Sequence, residues 1–281
     1  MKKLLTLILT FALSVTALLS FTACGNKKDP NKIYVGMECG YAPFNFTQLE
    51  EGDGAVAISN AQGYANGYDV MIAKKIAEET GKELVIVKYE FDALIGAVQT
   101  GALDFIIAGM SPTAKRLESI DFSDAYYESQ LVIVVRKDGN YANAATLDDF
   151  SGAKIAAQIG TFHNDALQEQ AAAHGISAQT PLDTFPALIN ALNSKAIDGY
   201  VAEEPGAIAD CAANDNLTYI HLTNNTTGFT ATAEDVQIAI GMKKGSEFKA
   251  TVNAALQKLD DATRLQMMTA ATEYATKYSQ N

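Results

Sequence analysis

Cysteine is scarce, with 3 in 281 residues. Cys39 and Cys211 fall in different halves of the chain, so no disulfide scaffold is implied and both read as free thiols. Histidine is equally sparse, and His163, His174 and His221 lack the spacing of a metal site, so they read as ordinary surface or loop residues. No Walker loop, nucleophile elbow or HExxH helix occurs, and neither a cofactor nor a metal is expected. Positive charge is also short: 21 Lys and Arg stand against 33 Asp and Glu, a formal net charge of -12. The first 23 residues carry only Lys2 and Lys3, so the remainder is more acidic still. A body of that sign does not seek nucleic acid or anionic lipid. The one long apolar run opens the chain, and it is too short and wrongly flanked for a stable membrane span.

That run follows Lys2-Lys3 and ends in Phe21-Thr22-Ala23-Cys24-Gly25, which reads as an export signal. Small residues directly before a cysteine, with glycine after it, resemble the lipobox of bacterial lipoproteins. The resemblance implies a signal peptide over residues 1–23 and a lipid anchor on Cys24. The polar, turn-rich segment that follows suits a tether over residues 24–32.

The rest of the chain repeats itself. Residues 91–109 (FDALIGAVQTGALDFIIAG) and 185–203 (FPALINALNSKAIDGYVAE) align without a gap. Matched residues include Phe91/Phe185, Leu94/Leu188, Ile95/Ile189, Ala102/Ala196 and Asp104/Asp198. Each copy reads as a short amphipathic helix, a tight turn and an apolar strand. Two similar α/β lobes are therefore expected, with a cleft outside the carboxyl ends of their strands. The residues just after each strand, Gly109-Met110-Ser111 and Glu203-Glu204, fall at that cleft.

Further residues join them. A strand over Ile33 to Met37 runs into Glu38 and then into Tyr41-Ala42-Pro43-Phe44, where aromatics are denser than a solvated turn requires. Asp69 reads as the cap of a helix that stops at Gly81, and Asp92 as the cap of the first repeat helix. Ser111 and Pro112 read as N-cap and first residue of a helix whose free N–H groups, with Arg116, make a carboxylate or phosphate site. A helix cap with a surface arginine is the alternative on spacing alone. The second lobe offers a parallel case, a strand over Lys154 to Gln158 followed by Gly160-Thr161-Phe162 entering a helix. Across from both, Glu203 suits an ammonium group, and with Arg116 it suggests a clamp for a zwitterion.

In order, Tyr41-Ala42-Pro43-Phe44, Gly67-Tyr68-Asp69, Phe91-Asp92-Ala93-Leu94-Ile95, Asp104, Ser111-x-Thr113-x-x-Arg116, Asp121-Phe122-Ser123, Gly160-Thr161, Asp198 and Glu203-Glu204-Pro205 resemble the polar amino-acid-binding proteins of ABC importers, the family 3 extracellular solute-binding proteins. The resemblance runs over nearly the whole chain after the tether. It implies a two-lobed, hinged α/β periplasmic-binding-protein fold with the second lobe inserted into the first. The implied divisions are 33–128 and 234–281 for lobe 1 and 129–233 for lobe 2. Arg116, with backbone N–H groups of Ser111 and Thr161, would hold an α-carboxylate. Glu203, the Ser111 hydroxyl and the Gly109 carbonyl would hold an α-ammonium, Tyr41 and Phe91 would sandwich the ligand's side chain, and Gln158 and Phe162 would line the site. This sequence has Glu203 where the family more often has Asp, and Phe162 where it has Thr or Ser.

The implied function is an extracytoplasmic, membrane-anchored monomeric receptor, not an enzyme, that passes a free amino acid to an ABC permease. In relatives that bind cationic amino acids an acid stands at the position of Glu38, which favours an arginine or lysine type of ligand. Should Glu38 instead pair with a basic neighbour or face solvent, a neutral ligand such as glutamine or cystine fits better. A cyclohexadienyl-dehydratase-like enzyme and a sensing lobe of a signalling system are the remaining alternatives.

Overall fold

The computed structural model describes residues 28–278. The expected signal peptide and Cys24 lie outside the described residues. Among the described residues, fourteen strands in chain order are β1 (Lys32–Met37), β2 (Gly40–Tyr41), β3 (Asn45–Gln48), β4 (Val56–Ala57), β5 (Tyr64–Asn66), β6 (Glu83–Lys88), β7 (Phe105–Ile106), β8 (Asp121–Glu128), β9 (Leu131–Arg136), β10 (Lys154–Ala156), β11 (Ser177–Ala178), β12 (Gly199–Glu203), β13 (Leu217–Ile220) and β14 (Gln237–Met242). They form two five-stranded sheets, ordered β6-β1-β7-β14-β8 and β11-β10-β12-β9-β13, and a small sheet β2-β3-β5-β4. The chain leaves the first sheet after Glu128, builds the second from Leu131 to Ile220, and returns to the first at Gln237. The two passages touch, since Ser129 N–H donates to the Val236 carbonyl at 3.0 Å.

The sequence repeat becomes a repeat of topology. Strand β7 is parallel to β1 and antiparallel to β14; β12 is parallel to β10 and antiparallel to β9. The repeated aspartates explain part of this. Asp104 Oδ2 accepts the Tyr34 N–H at 2.8 Å, and Asp198 Oδ2 accepts the Lys154 N–H at 2.9 Å. Each carboxylate thereby fastens its own strand entry to the neighbouring parallel strand.

Strand β9 (LVIVVR) is apolar almost throughout because both faces of its sheet are covered. Its alternate residues serve two cores: Val132 and Val134 join the larger core, while Leu131, Ile133 and Val135 join the smaller. The larger core runs from the first sheet through Tyr41, Phe44 and Phe185 to Tyr200 and Ala202 of β12, so apolar packing is continuous from one sheet to the other. Among the described residues no helix is long and apolar enough to cross a membrane.

Three expected helix caps are corrected. The first helix among the described residues spans Tyr68–Thr80 and starts from Gly67, at φ 119, with Gly81 closing it in the left-handed region as expected. Asp69 is not its cap but lies fully buried inside the first turn, accepting from the Tyr126 hydroxyl at 2.6 Å and Asn45 Nδ2 at 2.8 Å. Gly67 takes the cap position because a Cβ there would stand 2.5 Å from the Phe44 carbonyl oxygen. The helix after Ser111 starts at Ala114, with Thr113 as its cap accepting the Arg116 N–H, since proline at 112 biases Ser111 toward extended backbone. In the first repeat copy a 3-10 turn, Phe91–Ala93, precedes the helix Leu94–Gln99, and Asp92 caps neither.

Candidate ligand-binding site

The carboxyl ends of β1, β7, β10 and β12 converge on a pocket lined by Tyr41, Phe91, Gly109, Ser111, Arg116, Gln158, Thr161, Phe162, His163, Phe185 and Glu203. The gap is narrow and partly open to solvent, and side chains from the two sheets meet across it. Every polar side chain that reaches it is withdrawn from water: Ser111, Arg116, Gln158, Thr161, His163 and Glu203 are all buried.

Arg116 sits in the first turn of the helix Ala114–Ser119. Its Nη1 donates to the Ser111 carbonyl at 2.8 Å, and its Nη2 crosses to the Gly160 carbonyl at 2.9 Å. The Phe91 ring lies against the guanidinium, 5.4 Å from carbon to ring centroid. Burial brings the Arg116 pKa down to about 10, with Asp165 and Glu203 acting the other way, so the side chain remains a cation at neutral pH. Opposite it, Gly160 at φ +73 turns the chain into the helix Phe162–Gln170, whose cap Thr161 accepts the Asn164 N–H. This helix end faces the cleft as the sequence pattern requires.

Glu203, the last residue of β12, is held from two sides. The Tyr41 hydroxyl donates to its Oε2, and His163 Nε2 lies 3.5 Å from its Oε1. The Tyr41 ring is stacked on Phe185, with centroids 4.3 Å apart and planes 11° from parallel, and Phe44 covers its other face at 5.1 Å. Tyr41 and Phe91 therefore both line the pocket while Tyr41 presents its ring faces to protein rings.

Glu38 hangs behind this pocket at the end of β1. Gln158 Nε2 donates to its Oε2 at 2.6 Å and also to the Asp183 carbonyl at 3.0 Å. The other carboxylate oxygen, Oε1, is buried with no hydrogen-bond partner. Burial is the main reason the Glu38 pKa is raised from 4.5 to about 7; Gln158 lowers it, and Glu90 adds to the rise.

A buried arginine thus faces a buried glutamate across a slot between two sheets. The sequence model of the bacterial extracellular solute-binding proteins, family 3, matches residues 33–270. The chain belongs to that family. It is 28% identical over 263 residues to the arginine-binding extracellular protein ArtP of Bacillus subtilis, covering 91% of this chain and 94% of that protein. It is 30% identical over 241 residues to a probable histidine-binding protein of Campylobacter jejuni, covering 82% and 85%. Among solved structures, an amino acid ABC transporter substrate-binding protein from Streptococcus pneumoniae, bound to L-arginine, superposes with a TM-score of 0.74 at 29% identity, over 86% of this chain and 94% of that one. This solute-binding protein thus has the two-lobed periplasmic-binding-protein fold.

Nine of the ten residues singled out from the sequence line one pocket, and the tenth, Glu38, is bonded to one of the nine. Phe185 lines it as well and was not foreseen, and so does His163, which corrects its reading as a surface or loop residue: it is buried in the helix Phe162–Gln170. Phe185 carried a signal: it is the repeat mate of Phe91, and two facing lobes bring both copies to the cleft. His163 carried none beyond its place in the first turn of a helix that starts at the cleft.

Proposed function

We propose that this solute-binding protein captures a free cationic α-amino acid of the arginine type outside the cytoplasm and delivers it, as a monomer tethered through a lipid on Cys24, to the permease of its ABC importer. The observation that carries the ligand class is Glu38: a carboxylate in the protein interior with one oxygen unpartnered, one hydrogen bond away from the pocket. A cation arriving against that oxygen supplies the missing partner and favours the ionised form, whereas an acidic side chain meets a like charge. The arginine-bound structure and the arginine-binding relative described above support the same class.

In this reading Arg116 and the N–H groups of Ser111 and Thr161 take the α-carboxylate. Glu203, the Ser111 hydroxyl and the Gly109 carbonyl take the α-ammonium, while Tyr41, Phe91, Gln158 and Phe162 surround the side chain. Lobe 1 comprises residues 33–128 and 234–281, and lobe 2 residues 129–233. Closure of the lobes buries both charged ends, so only a molecule that satisfies both holds the lobes shut. A thermal-shift panel of the common amino acids tests the proposal. Arginine, lysine or ornithine should stabilise most, and Glu38→Gln should remove that preference while general α-amino acid binding remains. Greater stabilisation by neutral or acidic amino acids overturns the ligand class.

A further inference from the structure

The ring of Tyr41 belongs to the first lobe by sequence and is wedged between the two lobes. On one side stands Phe185, stacked at 4.3 Å; on another stands Gly206, in the first turn of the helix Glu204–Ala213. A Cβ on Gly206 would lie 2.9 Å from Tyr41 Cε2, and one on Gly109 would lie 2.9 Å from Cε1. Two glycines, one from each lobe, therefore leave the width of one aromatic ring between them. At the end of this slot the Tyr41 hydroxyl donates to Glu203 Oε2, while His163 stands at Oε1. Both oxygens of the pocket's only buried lobe 2 acid are thus faced by protein groups.

We infer that Tyr41 is a built-in competitor for the ammonium site, a side chain that latches the lobes together through Glu203 and must withdraw before a ligand ammonium takes its place. The inference rests on the proposed role of Glu203, and it assigns to Tyr41 a part beyond that of an aromatic wall. The latch sets a threshold: a ligand holds the closed form only if its own ammonium bonds Glu203 better than the phenol does. Compounds with a carboxylate and a cationic side chain but no α-ammonium cannot displace it, so Tyr41 sharpens selection for α-amino acids.

Two substitutions separate the parts of the latch. Tyr41→Phe removes the hydroxyl and keeps the ring. Gly206→Ala places a methyl in the slot, and because alanine favours helix over glycine, the local fold is not weakened. Small-angle X-ray scattering of the purified protein without added ligand should show a larger radius of gyration for both variants than for wild type, and added L-arginine should compact all three. A hydrogen bond to a charged acceptor corresponds to about tenfold or more in binding, so Tyr41→Phe should bind L-arginine at least about threefold more tightly by calorimetry. Unliganded scattering of both variants identical to wild type, or arginine affinity of Tyr41→Phe equal to or below wild type, overturns the latch. The scattering comparison needs no ligand, so it judges the latch even where wild type binds no amino acid, the result that instead defeats the functional proposal.

Discussion

Replacing Glu38 by glutamine should make the unliganded protein more stable at alkaline pH and a poorer receptor at once. Burial raises the Glu38 pKa from 4.5 to about 7. Between those two values the unfolded chain has released the proton and the folded chain still holds it, so the folded state binds more protons and stability falls as pH rises. Below the lower value both states are protonated and the penalty vanishes; above the upper value it is fully present. A shift of this size amounts to about 3 kcal/mol at pH 8, or roughly 6 to 12 °C in Tm for a chain of this length. Glutamine occupies the same space, carries an oxygen for Gln158, and has no charge to desolvate. Differential scanning calorimetry of wild type and Glu38→Gln from pH 4 to pH 8 gives the test. Asp69 and Asp210 also have raised pKa values because of burial, but both proteins contain them, so the difference between the two curves belongs to Glu38. The variant's advantage should be near zero at pH 4 and grow through neutrality. A pH-independent difference, or a variant less stable than wild type at pH 8, refutes the reasoning. The same logic gives the ligand's pH dependence, with affinity for a cationic amino acid falling as pH drops below about 7 and Glu38 takes up its proton.

Arg116→Ala should abolish measurable capture: an unpaired ligand carboxylate in a closed site costs about 3 to 5 kcal/mol, a loss beyond a hundredfold that calorimetry reads directly. Cys24→Ser should move the protein from the membrane fraction to the medium or periplasm with its affinity unchanged, and an unaltered membrane fraction would defeat the lipid anchor. Asp104→Ala should destabilise by about 1 to 3 kcal/mol, since the Tyr34 N–H loses its acceptor, with Asp198→Ala costing less because the matching bond to Lys154 is exposed. Denaturant melts of these two variants measure the cost, and unchanged arginine binding separates them from site residues.

Much of the architecture was legible because it is local. The short helix and apolar strand of each repeat copy follow from side-chain periodicity, and Gly81 and Gly160 mark turns through their backbone freedom. Arg116 and Glu203 could be paired in advance because strand ends in parallel sheets define a cleft, whatever the details of packing. The helix caps were less legible. Asp69 has the right residue type two positions after a glycine, yet it is drawn inward by Tyr126 and Asn45, and no local rule weighs a distant phenol against a nearby N–H. Thr113 and Ser111 are both competent caps, and proline between them decided in favour of Thr113.

The sequence by itself determined the two-lobed plan, the strands that carry the site and the charges brought to it, since periodicity, turn chemistry and the repeat act over a few residues at a time. Tertiary structure alone decided which partner each of those charges meets. Gln158 reaches Glu38 from 120 positions away and leaves one oxygen bare, and the Tyr41 phenol reaches Glu203 from 162 positions away. Such partners are chosen where two sheets exclude water between them. There an unpaired buried oxygen costs far more than it does at the surface, and the nearest donor wins regardless of its place in the chain.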